Sequence, residues 1–326
     1  MTVTGWNEAA IVYLLAIASP THGIPATMWN SGWATNASYA NGKSFYGYPL
    51  YVGKDYGGPM FFAHYSFLGF DPRDKADGYA NYFNQNRNHS LIQQAYSEAN
   101  PNGYLGYSAN CWGLTASDDP DGYLAHEPNS SRDNGTITPT AALSSFPYTP
   151  DESMLALKHF YRELGAKTWG WMGFIDAFNQ QRDWYASSTL AIDQGPIIIM
   201  IENHRSQLLW DLFMSNPEIQ PMLNAIGFHD SPNSVIDIYT DFDLTVFPNP
   251  TSSDFRLTLR IDEVADVRLD IFSIFGTKAQ NILSGETVIP GVYSYEIDGE
   301  LMPPGIYMAR LILNDSDATS VKIIIH

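Results

Sequence analysis

Gly5-Trp6-Asn7-Glu8-Ala9-Ala10-Ile11-Val12-Tyr13-Leu14-Leu15-Ala16-Ile17-Ala18-Ser19-Pro20-Thr21-His22 and, far downstream, Leu190-Ala191-Ile192-Asp193-Gln194-Gly195-Pro196-Ile197-Ile198-Ile199-Met200-Ile201-Glu202-Asn203-His204-Arg205 are the two stretches whose reading decides the fold. Each is a run of core-type residues that opens on a carboxylate, Glu8 or Asp193. A short helix that is apolar all round is buried on all sides, and such a helix has no packing use for an acid in its first turn. One acid could serve as a dipole partner, a contribution of about 0.3–1 kcal/mol. Two of them, among aromatic and amide neighbours, point to a water-accessible site built from helix ends.

Working outward from these stretches, apolar helices are expected over 60–68 and 139–146. They alternate with amphipathic ones over 76–99, 151–164 and 206–226. Short buried helices alternating with longer one-faced helices are what an (α/α) toroid requires. Its inner helices run parallel, so Glu8, Thr138-Pro139-Thr140 and Asp193-Gln194 would meet at one rim. An ordinary helical bundle with scattered helix ends is compatible with the same periodicity. Between the helices, residues 103–138 form a stretch longer than structureless loops usually are. It carries Trp112, Asp118, Tyr123 and His126, and is read as a functional loop. Asp118, Asp119 and Asp121 do not have the spacing of an EF-hand.

After Phe228 the character of the chain changes. Residues 229–243 read as a linker. Five alternating segments rich in β-branched and aromatic residues follow, over 254–261, 265–274, 292–297, 305–313 and 320–325. Turns are expected at Phe275-Gly276, Pro290-Gly291 and Pro303-Pro304-Gly305. The expectation for 244–326 is a small all-β sandwich.

Composition narrows the partners. Seventeen basic against 35 acidic residues give a formal net charge of -18 at pH 7, which argues against nucleic acid or anionic lipid as partner, since either demands clustered Lys and Arg. With 20 Tyr and 8 Trp a neutral polymer whose apolar faces stack on rings fits better. One cysteine, Cys111, excludes an intrachain disulfide and argues against a thiolate metal site. No 18-residue apolar run is present, so no transmembrane helix is expected. No leader precedes Trp6, and the chain reads as one whose natural N-terminal portion is absent.

Residues 1–228 resemble the glucoamylase-like domain of glycoside hydrolase family 144. The likeness rests on Gly5-Trp6-Asn7-Glu8, Tyr13 to Pro20, Tyr65-Ser66-Phe67-Leu68-Gly69-Phe70-Asp71-Pro72, Cys111 to Asp118, Pro139-Thr140-Ala141-Ala142 and Ala191-Ile192-Asp193-Gln194-Gly195-Pro196, in family order. It implies an (α/α)6 toroid acting on β-1,2-glucan. Members of that family carry earlier inner helices, one with an acidic cluster, to which nothing here corresponds. The expected fold is therefore an all-α incomplete (α/α)6 toroid, its C-terminal two thirds, followed by the sandwich. Residues 244–326 resemble the type IX secretion sorting domain of Bacteroidetes, on Val246-Phe247-Pro248-Asn249-Pro250, Val267 to Gly276, Leu301 to Tyr307 and Lys322. That likeness implies handling by the type IX machinery and a secreted or outer-surface location.

Glu8 is expected to be the general acid and Asp193 the ionised general base. Trp6 with Ala9, Ala10, Ile11 and Val12 would supply the apolar surroundings that keep an acid protonated. Inversion would place the two carboxyls roughly 6.5–9.5 Å apart. Both acids could instead be helix caps. Trp6, Trp112, Asp118, His126, Tyr148, Gln194, Glu202, His204 and Arg205 are the candidate substrate contacts, although Glu202 and Arg205 could simply pair with each other. The chemistry calls for no metal and no cofactor. The competing class is a carbohydrate-binding surface protein without turnover.

Overall fold

The structure is a computed structural model describing residues 3–35, 39–231, 242–261, 264–273, 277–289, 291–314 and 317–326. Two compact units divide near Val235.

The first unit contains the expected helices, most of them shortened: Ala10–Ala18, Phe61–His64, Tyr82–Ala99, Pro139–Leu143 and Pro150–Lys158, whereas the helix expected over 195–201 extends over Ala191–Ser206. The run expected over 206–226 is two helices, Leu208–Met214 and Ile219–Ala225. Gln207, which separates the first of these from Ala191–Ser206, takes a left-handed φ of 65°. The unit is not purely helical. Five two-stranded antiparallel ladders occur among its described residues, including Ala116–Asp119 with Gly122–Ala125, inside the segment read as an irregular loop. His229–Asp230 pairs with Lys75–Ala76, so the start of the expected linker belongs to this unit. Residues 232–241 of that linker lie outside the described residues.

Tyr82–Ala99, expected as an outer amphipathic helix, is instead buried along most of its length, polar side chains included. Its amides explain why. Gln85 accepts from the backbone N–H of Tyr51 and Val52 and donates to the Val52 carbonyl. Gln93 donates to the carbonyls of Gly58 and Leu114 and accepts from Leu114 N–H. Backbone groups of the Tyr48–Val52 strand and of neighbouring loops are thus satisfied by side chains of one helix, the accounting that buried peptide groups require. His89 Nε2 donates to the Gly58 carbonyl at 3.0 Å, and its ring lies where a Cβ on Gly57 would be, 2.1 Å away. Gly57, with φ +90°, can only be glycine.

His64 and His89 are fully enclosed, and burial pushes their pKa values down to about 3 and about 4. Both lie below the unfolded value of about 6.5. The unfolded chain therefore binds more protons than the native one between about pH 4 and 6.5, and stability rises with pH through that window. We expect His89→Gln, which keeps a donor for Gly58, to flatten the fall of Tm on acidification from pH 6.5 to 4.5. An acid limb identical to the wild type's would refute this account.

In the second unit, a three-stranded sheet, ordered Phe242–Phe247, Phe255–Ile261, Gly291–Ile297, accompanies a four-stranded one. The latter is ordered Lys278–Val288, Ala265–Ser273, Gly305–Leu313, Asp317–Ile325. Every pairing within these two sheets is antiparallel. Period-two alternation sends Leu257, Leu259 and Ile261 into one core with Val267, Leu269, Ile271, Ala309 and Leu311, as a sandwich requires. Two strands were not expected: Phe242–Phe247, and Lys278–Val288, whose polar sequence conceals its alternation. Phe275-Gly276 and Pro290 lie outside the described residues. Asn249 of the Pro-Asn-Pro motif acts as a clasp: its amide donates to the Lys322 carbonyl and accepts from Ile324 N–H. The two ends of the motif pattern are thereby held together.

Candidate active site

Two of the expected helix heads, at Thr140 and Asp193, are joined directly. Ser66 Oγ donates to the Glu8 carbonyl at 2.6 Å and accepts from Ile11 N–H at 3.1 Å, supplying an acceptor to the first turn of Ala10–Ala18. Glu8 lies just ahead of that helix, in a turn held by Asn7 Oδ1, which accepts from Ala9 N–H. Its side chain is half-buried. Thr140 Oγ1 donates to the Asp193 carbonyl at 2.8 Å, joining the first turns of Pro139–Leu143 and Ala191–Ser206. Tyr65, beside Ser66, has its ring stacked on Phe61. Burial raises its pKa, and the charges of Asp193, Tyr123, Glu8 and Asp176 add to the rise. Residues far apart in the chain therefore act on one hydroxyl.

Asp193 is 1 % exposed. Burial, a hydrogen bond with the Asp176 carboxyl and the charges of Asp176 and Asp118 push its pKa up to about 8. A first-turn position favours an anion by only about 1 kcal/mol, and desolvation beside two further carboxylates outweighs it. These surroundings favour the protonated form, and because Asp193 is sealed from solvent the expectation of a water-bearing general base at this position is corrected.

Asp176, equally buried, is displaced upward by its own burial. It follows the Trp169–Phe174 hairpin, where its N–H donates to the Ser188 carbonyl at 3.1 Å. Asp118 lies on the Ala116–Asp119 strand; its N–H donates to Asp176 Oδ2 at 2.7 Å and its own carboxylate accepts from Ser188 Oγ. Of these three carboxyls Asp118 alone keeps partial exposure. Tyr123, on the paired strand and 58 % exposed, feels all three. The site so assembled is Glu8, Tyr65, Asp118, Tyr123, Asp176, Ser188 and Asp193.

Asp118 is the one expected substrate contact that falls in this cluster. Gln194 sits beside it but spends its amide on the Phe174 carbonyl at 2.9 Å, pinning the hairpin. The others are corrected. Trp6 is buried and stacked on Tyr82, so it neither meets sugar nor insulates Glu8 as a pocket wall. Trp112 is fully enclosed in a core with Phe160 and Phe178. Tyr148 is buried and bonded to Asn86 and the Ala63 carbonyl. His126 is enclosed, with Nδ1 on the Arg132 carbonyl and burial lowering its pKa. Glu202 follows Asp193 by nine positions on one helix, about 13.5 Å along the axis, so Glu202, His204 and Arg205 stand at its opposite end. Arg205 and Glu202 pair at 3.0 Å, and His204 packs beside Phe146. Asp119 and Asp121 are structural: Asp119 receives Asn134 and Asp121 N–H, and Asp121 binds Arg182.

Sequence reading missed Asp176, Tyr65 and Ser188. Asp176 could have been found by the criterion that found Asp193, since it stands between Phe174-Ile175 and Ala177-Phe178 in an apolar run. Among the described residues no cluster of three His, Cys, Asp or Glu has metal-holding geometry, and no helix is long and apolar enough to cross a membrane.

Helix ends that gather buried and half-buried carboxyls around tyrosines, carried with a separate β-sandwich, define the class: a glucoamylase-like helical domain joined to an export module. Residues 1–217 match the family described as "Putative glucoamylase", and the chain belongs to it; residues 245–326 match the secretion system C-terminal sorting domain. The chain is 47 % identical over 239 residues to an exo β-1,2-glucooligosaccharide sophorohydrolase (non-reducing end) of Parabacteroides distasonis, covering 68 % of this chain and 33 % of that protein. An endo-β-1,2-glucanase from Chitinophaga pinensis, solved with sophorotriose and glucose, matches at 49 % identity and a TM-score of 0.68, over 70 % of this chain and 55 % of that one. A β-1,2-glucanase structure from Parabacteroides distasonis matches at 46 % and 0.68, over 69 % and 35 %. The chain thus spans between a third and just over half of the length of these relatives.

Proposed function

We propose that this protein is a secreted glycoside hydrolase acting on β-1,2-glucan by inverting acid–base hydrolysis, with its first unit forming the C-terminal two thirds of an (α/α)6 toroid. The observation that carries the reading is the gathering of Asp118 and Asp176, joined through the Asp118 N–H and flanked by Ser188 and the sealed Asp193, with relatives named for β-1,2-glucan chemistry in support. Glu8 gives its proton to the leaving glycosidic oxygen. The base must be ionised and reach water, so that role passes from Asp193 to Asp118. The sandwich directs export by the type IX machinery to the cell surface or medium.

The test is release of reducing sugar from β-1,2-glucan, with the product profile read from glucan and from sophorose. Burial of Asp193 favours a second reading, a surface protein that binds the glucan without turnover. Retention on immobilised glucan without released sugar would select it, and neither retention nor release would overturn both.

A further inference from the structure

Three residues from separate parts of the first unit close a ring of hydrogen bonds. Asp118, on the Ala116–Asp119 strand, donates its backbone N–H to Asp176 Oδ2 at 2.7 Å. Asp176, after the Trp169–Phe174 hairpin, donates its own N–H to the Ser188 carbonyl at 3.1 Å. Ser188, in the connection from Trp184–Tyr185 to Ala191–Ser206, completes the ring by donating from Oγ to Asp118 Oδ2. Asp176 thus fixes where the Asp118 main chain lies, and Ser188 fixes where its side chain points. Asp118 is partly exposed, whereas Asp176 is sealed, so the Ser188 bond is the one made to a carboxylate that water also reaches. It occupies Oδ2 and leaves Oδ1, which takes no hydrogen bond among the described residues. The terminal torsion of an aspartate is broad. A charge-assisted donor on one oxygen removes that freedom and decides which way the other faces.

We infer that Ser188 is a positioning residue, which holds the Asp118 carboxylate so that Oδ1 takes the proton of the attacking water. The inference rests on the proposed role of Asp118 as general base. In the step so arranged, the water oxygen bonds to the anomeric carbon while its proton passes to Asp118 Oδ1. The glycosidic C–O bond breaks, and the leaving oxygen takes the proton of Glu8. Ser188 keeps its own hydrogen throughout. The attacking water is no part of ground-state sugar binding, so loss of the Ser188 donor should fall on kcat and spare KM.

Ser188→Ala, Ser188→Thr and Asp118→Asn in the full chain, assayed on β-1,2-glucan, test this. Ser188→Ala retains the carbonyl that Asp176 uses, so its Tm should stay near the wild type's. Its kcat should fall by about 10–10²-fold, the scale of a misplacement of about 1 Å, with KM changed less than about twofold. Ser188→Thr keeps the hydroxyl and should recover most of that loss. Adding Ser188→Ala to Asp118→Asn should cost nothing further, since the carboxylate to be held is gone. Wild-type kcat in Ser188→Ala, a Ser188→Thr no better than Ser188→Ala, or a second loss in the double variant overturns the inference and leaves Asp118 as base. Wild-type kcat in Asp118→Asn overturns the base, and the positioning role with it. Should Ser188→Ala not fold, Ser188→Cys, whose thiol is a weak donor, replaces it with the same expected loss confined to kcat.

Discussion

Glu8→Gln is expected to lower β-1,2-glucan hydrolysis by about 10²–10⁴-fold, the usual contribution of a positioned general acid, while leaving Tm nearly unchanged. The two effects separate because Glu8 holds the fold through its backbone. Its carbonyl accepts from Ser66 Oγ, and the turn it occupies is fixed by Asn7; glutamine keeps both. The side chain is half-buried and of the same shape, and substitutions away from core packing and buried networks usually stay within about 0.5 kcal/mol. The amide cannot give a proton to a leaving oxygen. Sugar release by the variant at the wild-type rate would remove Glu8 from the chemistry, whereas a collapse of Tm alongside activity would assign it a structural part instead.

How much of this was legible beforehand depended on whether a signal was local. Hydrophobic period fixes which segments are helices and which are strands, and Gly305–Leu313 alternates so cleanly that its bounds agree with the expectation. An acid in an apolar run is local too, and it leads to Asp193. What such reading cannot supply is which side chains turn inward. Trp112 and Tyr148 look like sugar-stacking rings because aromatics serve both cores and clefts, and only packing decides between them. His204 and Arg205 look like donors to substrate, yet they share a helix with Asp193 at the wrong end of its length. The protonation of Asp193 is less legible still. It arises from Asp176 and Asp118, brought in by a hairpin and a second hairpin strand. The polar burial of Tyr82–Ala99 misled for a related reason: its Gln and Asn residues read as a solvent face, although they satisfy strand and loop backbone.

Asp193→Asn is expected to raise stability, and the gain should depend on pH in a defined direction. The native pKa of Asp193 is about 8, against about 3.9 for an unfolded aspartate. Between those values the native state binds the extra proton, so this carboxyl's contribution is complete below about pH 4 and is lost as pH rises to about 8. Asparagine resembles the protonated acid and does not titrate. Asp176, given an amide donor, can then ionise. The Tm difference between variant and wild type should therefore be small at pH 4.5, grow through neutrality and level off above pH 8. A gain on the order of a few kcal/mol, at about 2–4 °C for each, would be plain in a calorimetric scan. A variant less stable than wild type at pH 8, or a difference that shrinks from pH 5 to 8, would mean that Asp193 is ionised in the native protein, and the base role first expected of it would return.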